Sequence, residues 1–198
     1  MKIIHNRNPT LIVGGGPAGA SCAWKLAKNR IPCILIDKAD FPREKVCGGA
    51  LCGSAADSLV TSGIFSVAEL DELTLMRHRT LSLFSRGELL GTYTSQDSPV
   101  RIISRGDFDN ALLEKAASEG AEIATGDAVV SVEESSVTTA SGRKICFSNL
   151  VGADGCNSIV SRFIRGRKGR GVGIFLKYKI PLSDLDYVPE GLQVHFST

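Results

Sequence analysis

The stretch Thr10–Gly19, T-L-I-V-G-G-G-P-A-G, constrains the fold more than any other part of the sequence. Leu11, Ile12 and Val13 form a short apolar run suited to a buried strand, which breaks into glycines and then into a helical pattern. Gly14, Gly16 and Gly19 stand at G-x-G-x-x-G spacing. Their roles differ. Gly14 turns the chain off the strand, Gly16 lets the backbone meet a pyrophosphate, and Gly19 lets the helix lie close on the sheet. Pro17 suits a first helical position, where its missing N–H has no partner to lose. The free N–H groups of that turn, beginning at Ala18, face phosphate charge.

Helical spacing continues through Ala18, Ala23, Leu26 and Ala27 to Asn29, and Ile34-Leu35-Ile36 follows as a second buried strand ending in Asp37. An acid about 20 positions after the first glycine is where a carboxylate takes the adenosine ribose hydroxyls. The glycine spacing alone is a weak signal, and a ligand-free strand, turn and helix would also satisfy it. Strand, glycine turn, helix, strand and acid in that order make a dinucleotide site the working reading.

The chain has 198 residues, 43% of them hydrophobic, enough for one large domain or two small ones. A net charge of +2, from 23 Lys+Arg and 21 Asp+Glu, gives no general pull toward nucleic acid or an anionic membrane. Nothing at the amino end reads as a signal peptide, and no run reaches the ~18 apolar residues of a spanning helix. A cytoplasmic protein is the expectation. Cys22, Cys33, Cys47, Cys52, Cys146 and Cys156 lack C-x-x-C spacing, so neither a disulfide framework nor a metal site is indicated, and most read as buried free thiols.

Lys38–Leu51, K-A-D-F-P-R-E-K-V-C-G-G-A-L, is a loop rich in charge and glycine, which a cofactor passing the strand ends would order. Ser54–Leu59 has helical character. Alternation at Leu81, Leu83, Leu90 and Tyr93 around Ser85–Glu88 predicts an antiparallel hairpin, with Val100–Ile103 a further strand. A helix is expected from an Asp107 N-cap, with Leu112, Leu113 and Ala116 on its apolar face and Gly120 as its stop. Ala121–Ala124, Ala128–Val132, Val137–Ala140 and Lys144–Phe147 read together as a meander. Leu150–Gly155 then repeats the opening theme before a helix from about Ser158. Asp154 there suits either a cofactor hydroxyl or a plain helix cap. Arg162, Arg165, Arg167, Lys168 and Arg170 form a basic run that is solvated or attracts an anion, without the aromatics that stack on bases. Gly171–Ile180 reads as a strand, Pro181–Pro189 as a loop, and Leu192–Phe196 as another strand.

Three stretches together resemble the FAD-dependent oxidoreductases related to para-hydroxybenzoate hydroxylase: Gly14–Gly19 with Asp37, S-R-G-D-F-D at Ser104–Asp109, and G-A-D-G at Gly152–Gly155. Within that superfamily, F-P-R-E-K-V-C-G-G-A-L is similar to the K-x-C-G-G loop of the geranylgeranyl reductases. The resemblance implies that Gly14, Gly16, Pro17, Ala18 and Gly19 hold the FAD pyrophosphate and that Asp37 holds the adenosine ribose. Arg105 would meet the phosphates or ribityl chain, Val129 the adenine through its backbone, and Asp154 and Gly155 the ribityl-pyrophosphate region. Lys38 and Arg43 join the cofactor-binding set. Cys47, Gly48 and Gly49 would pass close to the flavin ring, with Cys47 the candidate catalytic residue beside the alternative of an inert buried thiol. The family's second G-D segment and its G-Y-x-W-x-F-P stretch do not occur here, so a fragment, or a chain completed by another through its unfinished sheet, is expected.

The fold expected is α/β: a Rossmann-like FAD-binding domain from residues 1–76 and 99–165, plus an incomplete antiparallel substrate domain from 77–98 and 166–198. The resemblance implies reduction of carbon–carbon double bonds of an isoprenoid by reduced flavin, with NADPH or another reductant as electron donor. The partner would be an apolar small molecule, and contact with a membrane surface stays open. So do a flavin monooxygenase of an aromatic or polyketide-like substrate and an FAD-binding module without catalysis. An NAD-dependent dehydrogenase would explain Gly14–Asp37 but neither Arg105 nor Asp154-Gly155.

Overall fold

The computed structural model describes residues 8–166, 176–187 and 191–196. Along the chain the elements are β1 (Thr10–Val13), α1 (Pro17–Lys28), β2 (Cys33–Ile36), β3 (Ala50–Leu51), α2 (Gly53–Ser62), α3 (Val67–Glu72), β4 (Thr74–His78), β5 (Thr80–Ser85) and β6 (Glu88–Thr94). There follow β7 (Val100–Ile103), α4 (Arg105–Ser118), β8 (Glu122–Ala124), β9 (Val129–Val132), β10 (Ser136–Thr139), β11 (Lys144–Cys146), β12 (Asn149–Gly152), α5 (Ile159–Arg165) and β13 (Leu192–Phe196). They divide into two compact units, residues 1–44 with 106–172, and residues 45–105 with 173–198.

The first unit is built on a parallel sheet in the order β12-β1-β2-β8. Side chains alternate across a strand, so Leu11 and Val13 share one face. With Ile36 they form a buried cluster with Val137, Ile145 and Phe147 of the meander region and Val160 of α5. Ile12 and Leu35, both fully buried, are left for the opposite face. There α1, which packs on β1 and β2, buries Ala20, Ala23, Trp24 and Ala27, three of them small enough for close approach.

The meander is the three-stranded sheet β11-β10-β9. Ala121–Ala124, expected as its first member, instead supplies β8, which pairs parallel with β2. A three-residue strand carries no information about its partner; α4 acts as the crossover that returns it to the parallel sheet. Helix α4 also starts earlier than expected. Asp107 lies inside its first turn rather than at its cap, where a carboxylate still complements the helix dipole. Phe108, Leu112, Leu113 and Ala116 are buried.

The second unit contains two three-stranded sheets, β3-β7-β4 and β13-β5-β6. Residues 45–76 and 99–105 group here with the hairpin rather than with the parallel sheet. The hairpin closes on Arg86 and Gly87, with φ of 51° and 84°, as a two-residue turn with both central residues left-handed requires. β13 joins β5 in parallel, making this sheet mixed. Every residue of β6 is exposed. Helix α3, not read from the sequence, is held by a capping box in which the Glu69 N–H donates to Ser66 Oγ and the Ser66 N–H donates to Glu69 Oε2 at 2.8 Å. Residues 176–180, the described part of the strand expected at Gly171–Ile180, form no strand, and the rest lies outside the described residues. So do Arg167, Lys168 and Arg170; Arg162 and Arg165 are exposed on α5. Among the described residues no helix is long and apolar enough to cross a membrane.

Candidate cofactor site

In the first unit the glycine turn is pinned between two strands. The Gly14 N–H donates to the Ile36 carbonyl at 2.8 Å, and the Ala153 N–H donates to the Val13 carbonyl at 2.7 Å. A Cβ at Gly14, whose φ is +109°, would overlap the Ala153 carbonyl, and one at Gly19 would overlap the Gly14 carbonyl oxygen. Both glycines are therefore demanded by packing. Gly16 differs: its φ and ψ of −73° and −179° are open to any residue, and a Cβ there would meet only Arg43 Nη2, at 3.9 Å. Its backbone faces open space at the mouth of α1.

Among the described residues no side chain caps α1, and no acid stands in its first turn, so its leading N–H groups, from Ala18 on, can take an anion. Asp37 lies across the turn: Oδ2 accepts from the Gly15 N–H at 2.6 Å and Oδ1 from the Ala39 N–H at 2.9 Å. Each oxygen keeps a further lone pair for a ribose hydroxyl. Lys38 follows directly and is exposed.

Arg43 supplies the cation. Its guanidinium lies 4.7 Å from the Phe41 ring centroid, and Nη2 stands 3.3 Å from Oδ2 of Asp109, which is fully buried in α4. Nη1 is buried and has no hydrogen-bond partner among the described residues. An uncapped helix start, a glycine that leaves room beside it and a cation with an unused buried donor suit the diphosphate of FAD. Sequence reasoning does not single out Asp109 or Phe41. The D-F-D run of S-R-G-D-F-D carries the former, but nothing local says which residue it would face.

Val129 turns its side chain toward the buried cluster, which leaves its backbone for contact with an adenine. Asp154 is committed to α5: its carboxylate accepts from Ser158 Oγ and, at 2.6 Å, from the Ile159 N–H. These are the contacts of a helix cap, and each oxygen keeps a further lone pair, as at Asp37; the backbone N–H groups at Asp154 and Gly155 are further donors in that loop. Gly155, with φ +79°, stands in the open: a methyl added there would have nothing within 4 Å.

The remaining candidates cluster in the second unit. The Gly49 N–H donates to Cys47 Sγ at 3.5 Å. That bond, with the Arg105 guanidinium hydrogen-bonded beside the sulfur and the charge of Lys177, holds the thiol below its ordinary pKa, while partial burial opposes the shift. Arg105 thus stands beside Cys47. A Cβ at Gly49, whose φ is +76°, would overlap the Ile103 carbonyl, whereas a Cβ at Gly48 would meet nothing within 4 Å among the described residues. All six cysteines are free, but Cys33 alone is buried; Cys52, Cys146 and Cys156 are exposed, against the expectation of buried thiols. Burial pushes Cys22 and Cys33 up, as befits inert thiols. No group of metal-ligating side chains occurs among the described residues.

The chain is 28% identical over 170 residues to a menaquinone reductase of Mycolicibacterium smegmatis, covering 81% of this chain and 41% of that one. It is 27% identical over 197 residues to a geranylgeranyl diphosphate reductase of Rhodobacter capsulatus, covering 93% and 47%. It thus spans less than half the length of these relatives. The crystal structure of Pseudomonas aeruginosa PqsL superposes with a TM-score of 0.72 at 21% identity, over 85% of this chain and 48% of that one, and shares the fold. The family model described as an FAD binding domain matches residues 7–172, and by that match the chain belongs to the FAD-binding domain family, with FAD as its cofactor.

Proposed function

We propose that this chain is the cofactor-binding part of a flavin-dependent oxidoreductase that reduces carbon–carbon double bonds of a polyprenyl substrate, as geranylgeranyl reductases do. The observation that carries the reading is Cys47, a half-buried thiol between the Gly49 N–H and the Arg105 guanidinium in the K-V-C-G-G loop. Both relatives named above are reductases whose named substrates carry a polyprenyl chain.

Gly14 and Gly16, with the first-turn N–H groups at Ala18 and Gly19 behind Pro17, would take the FAD pyrophosphate, and Arg43 and Lys38 would neutralise its charge. Asp37 would take the adenosine ribose, the Val129 backbone the adenine edge, and the Asp154-Gly155 backbone the ribityl side. When bound, FAD supplies the hydride chemistry. Saturating a carbon–carbon double bond takes one hydride and one proton, and the second carbon needs a proton donor. Cys47 Sγ would give that proton: a thiol below its ordinary pKa is a ready acid, and Arg105 stabilises the thiolate it leaves until water returns a proton. Gly48 leaves the loop without a side chain where a flat ring would approach.

The test loads the protein with FAD, reduces it anaerobically with dithionite and adds geranylgeranyl diphosphate. Flavin reoxidation, with product heavier by two hydrogens per bond, is the expected result, and Cys47→Ser slows it while leaving FAD binding intact. Inertness toward prenyl acceptors, with oxygen uptake and hydroxylation of an aromatic substrate, would replace the reductase by a monooxygenase.

A further inference from the structure

Arg43 is held on three sides. Phe41, two residues before it, offers its ring face to the guanidinium at 4.7 Å; Asp109, from the first turns of α4, stands 3.3 Å from Nη2; and the third neighbour is the mouth of α1 at Gly16. The Asp109 side chain has no solvent exposure, whereas that of Arg43 keeps 17%. A fully buried carboxylate next to a partly open cation orients that cation, since the attraction between them is strong where water is excluded and weak where it is not. Nη1, buried with no acceptor among the described residues, marks a guanidinium with a donor to spare.

We propose that Asp109 is a positioning residue, which with Phe41 fixes the Arg43 guanidinium at the start of α1 so that it meets the cofactor's diphosphate. The proposal rests on the assignment of Arg43 to the FAD site. A planar guanidinium matches phosphate oxygens in a two-pronged geometry, and its value falls if the plane is free to turn. Asp109 would thus act on diphosphate affinity through Arg43. A carboxylate that merely filled a core position would act on folding and on every ligand alike.

The test measures the FAD Kd, by quenching of flavin fluorescence, for wild type, R43A, D109N and the double variant, with ADP and adenosine as competitors. D109N is expected to weaken FAD and ADP at least about tenfold and adenosine hardly at all, because adenosine has no phosphate for Arg43 to meet. The double variant should bind no more weakly than R43A, since the two residues form one device. Losses that add in the double variant, or a D109N protein with the wild-type Kd, overturn the proposal. Should D109N fail to fold by stranding a buried cation, R43Q/D109N, which leaves no buried charge, is compared with R43Q: equal Kd values support the device, and a further tenfold loss overturns it. Wild type that binds FAD while R43A binds it equally well removes Arg43 from the site and the proposal with it. Wild type that takes up no FAD sinks the cofactor site itself, a result distinct from either.

Discussion

Gly16→Ala separates a glycine needed by a ligand from one needed by the fold. At φ −73° and ψ −179° alanine is unstrained, and the nearest atom to its Cβ is Arg43 Nη2 at 3.9 Å, ordinary contact distance. Without FAD the variant should therefore gain about 0.4–1 kcal/mol from its stiffer unfolded chain, which for a chain of this size raises Tm by about 1–4 °C. In the proposed site the methyl would stand where the pyrophosphate approaches. Losing one charge-assisted hydrogen bond of about 1.5–3 kcal/mol corresponds to a Kd about 10–150-fold higher. Gly19→Ala should behave oppositely: its methyl overlaps the Gly14 carbonyl, whose residue is tied to β2, so α1 must lift and the apo protein loses about 1–3 kcal/mol. Scanning calorimetry of both apo variants and fluorescence titration with FAD read the two quantities. A Gly16→Ala protein that melts below wild type, or that binds FAD within about threefold of it, would refute the division of labour among these glycines.

Cys47 should be alkylated by iodoacetamide at a lower pH than an ordinary thiol, and Arg105→Ala should move its reactivity profile upward, read by peptide mapping against the exposed Cys146 and Cys156. Because its folded pKa is depressed, the thiolate contributes stability that is fully present above the unfolded value and is lost as pH falls through the folded one; Arg105→Ala should narrow that window. Ser66→Ala removes the capping box of α3 and should lower stability by about 0.5–2 kcal/mol without changing the FAD Kd. A changed Kd would mean that α3 bears on the cofactor.

Much of this architecture is written in local patterns. The run Leu11–Val13, the glycines and Asp37 fix a strand, a turn, a helix and an acid within one βαβ unit, so their geometry follows from spacing alone. The hairpin at Arg86-Gly87 is legible for the same reason, as two alternating runs separated by a two-residue turn. What the sequence hides is set by partners far along the chain. Glu122–Ala124 is too short to declare whether it joins a meander or a parallel sheet. Asp109 lies more than sixty positions from Arg43, and no periodicity connects them. The side chain of Asp154 is ambiguous in the sequence because an acid before a helix suits a cap and a ligand equally; the Ile159 N–H at 2.6 Å supplies the cap contact that no spacing announces.

Asp37 joins these two kinds of information, and its substitution tests whether a ligand residue can also be a structural one. Its two oxygens accept separate N–H groups, from Gly15 at 2.6 Å and from Ala39 at 2.9 Å. Asparagine has one acceptor oxygen, so Asp37→Asn satisfies one donor and turns an N–H toward the other. A charge-assisted bond of about 1.5–3 kcal/mol is lost, and at about 2–4 °C per kcal/mol the apo protein should melt about 3–12 °C lower. If Asp37 served the ribose alone, the apo protein would melt like wild type and only FAD affinity would fall. Finding that pattern would mean the glycine turn holds its shape without the carboxylate. The expected fall in both quantities means that the acid on β2 shapes the turn in advance, so that pyrophosphate and ribose meet groups already in place.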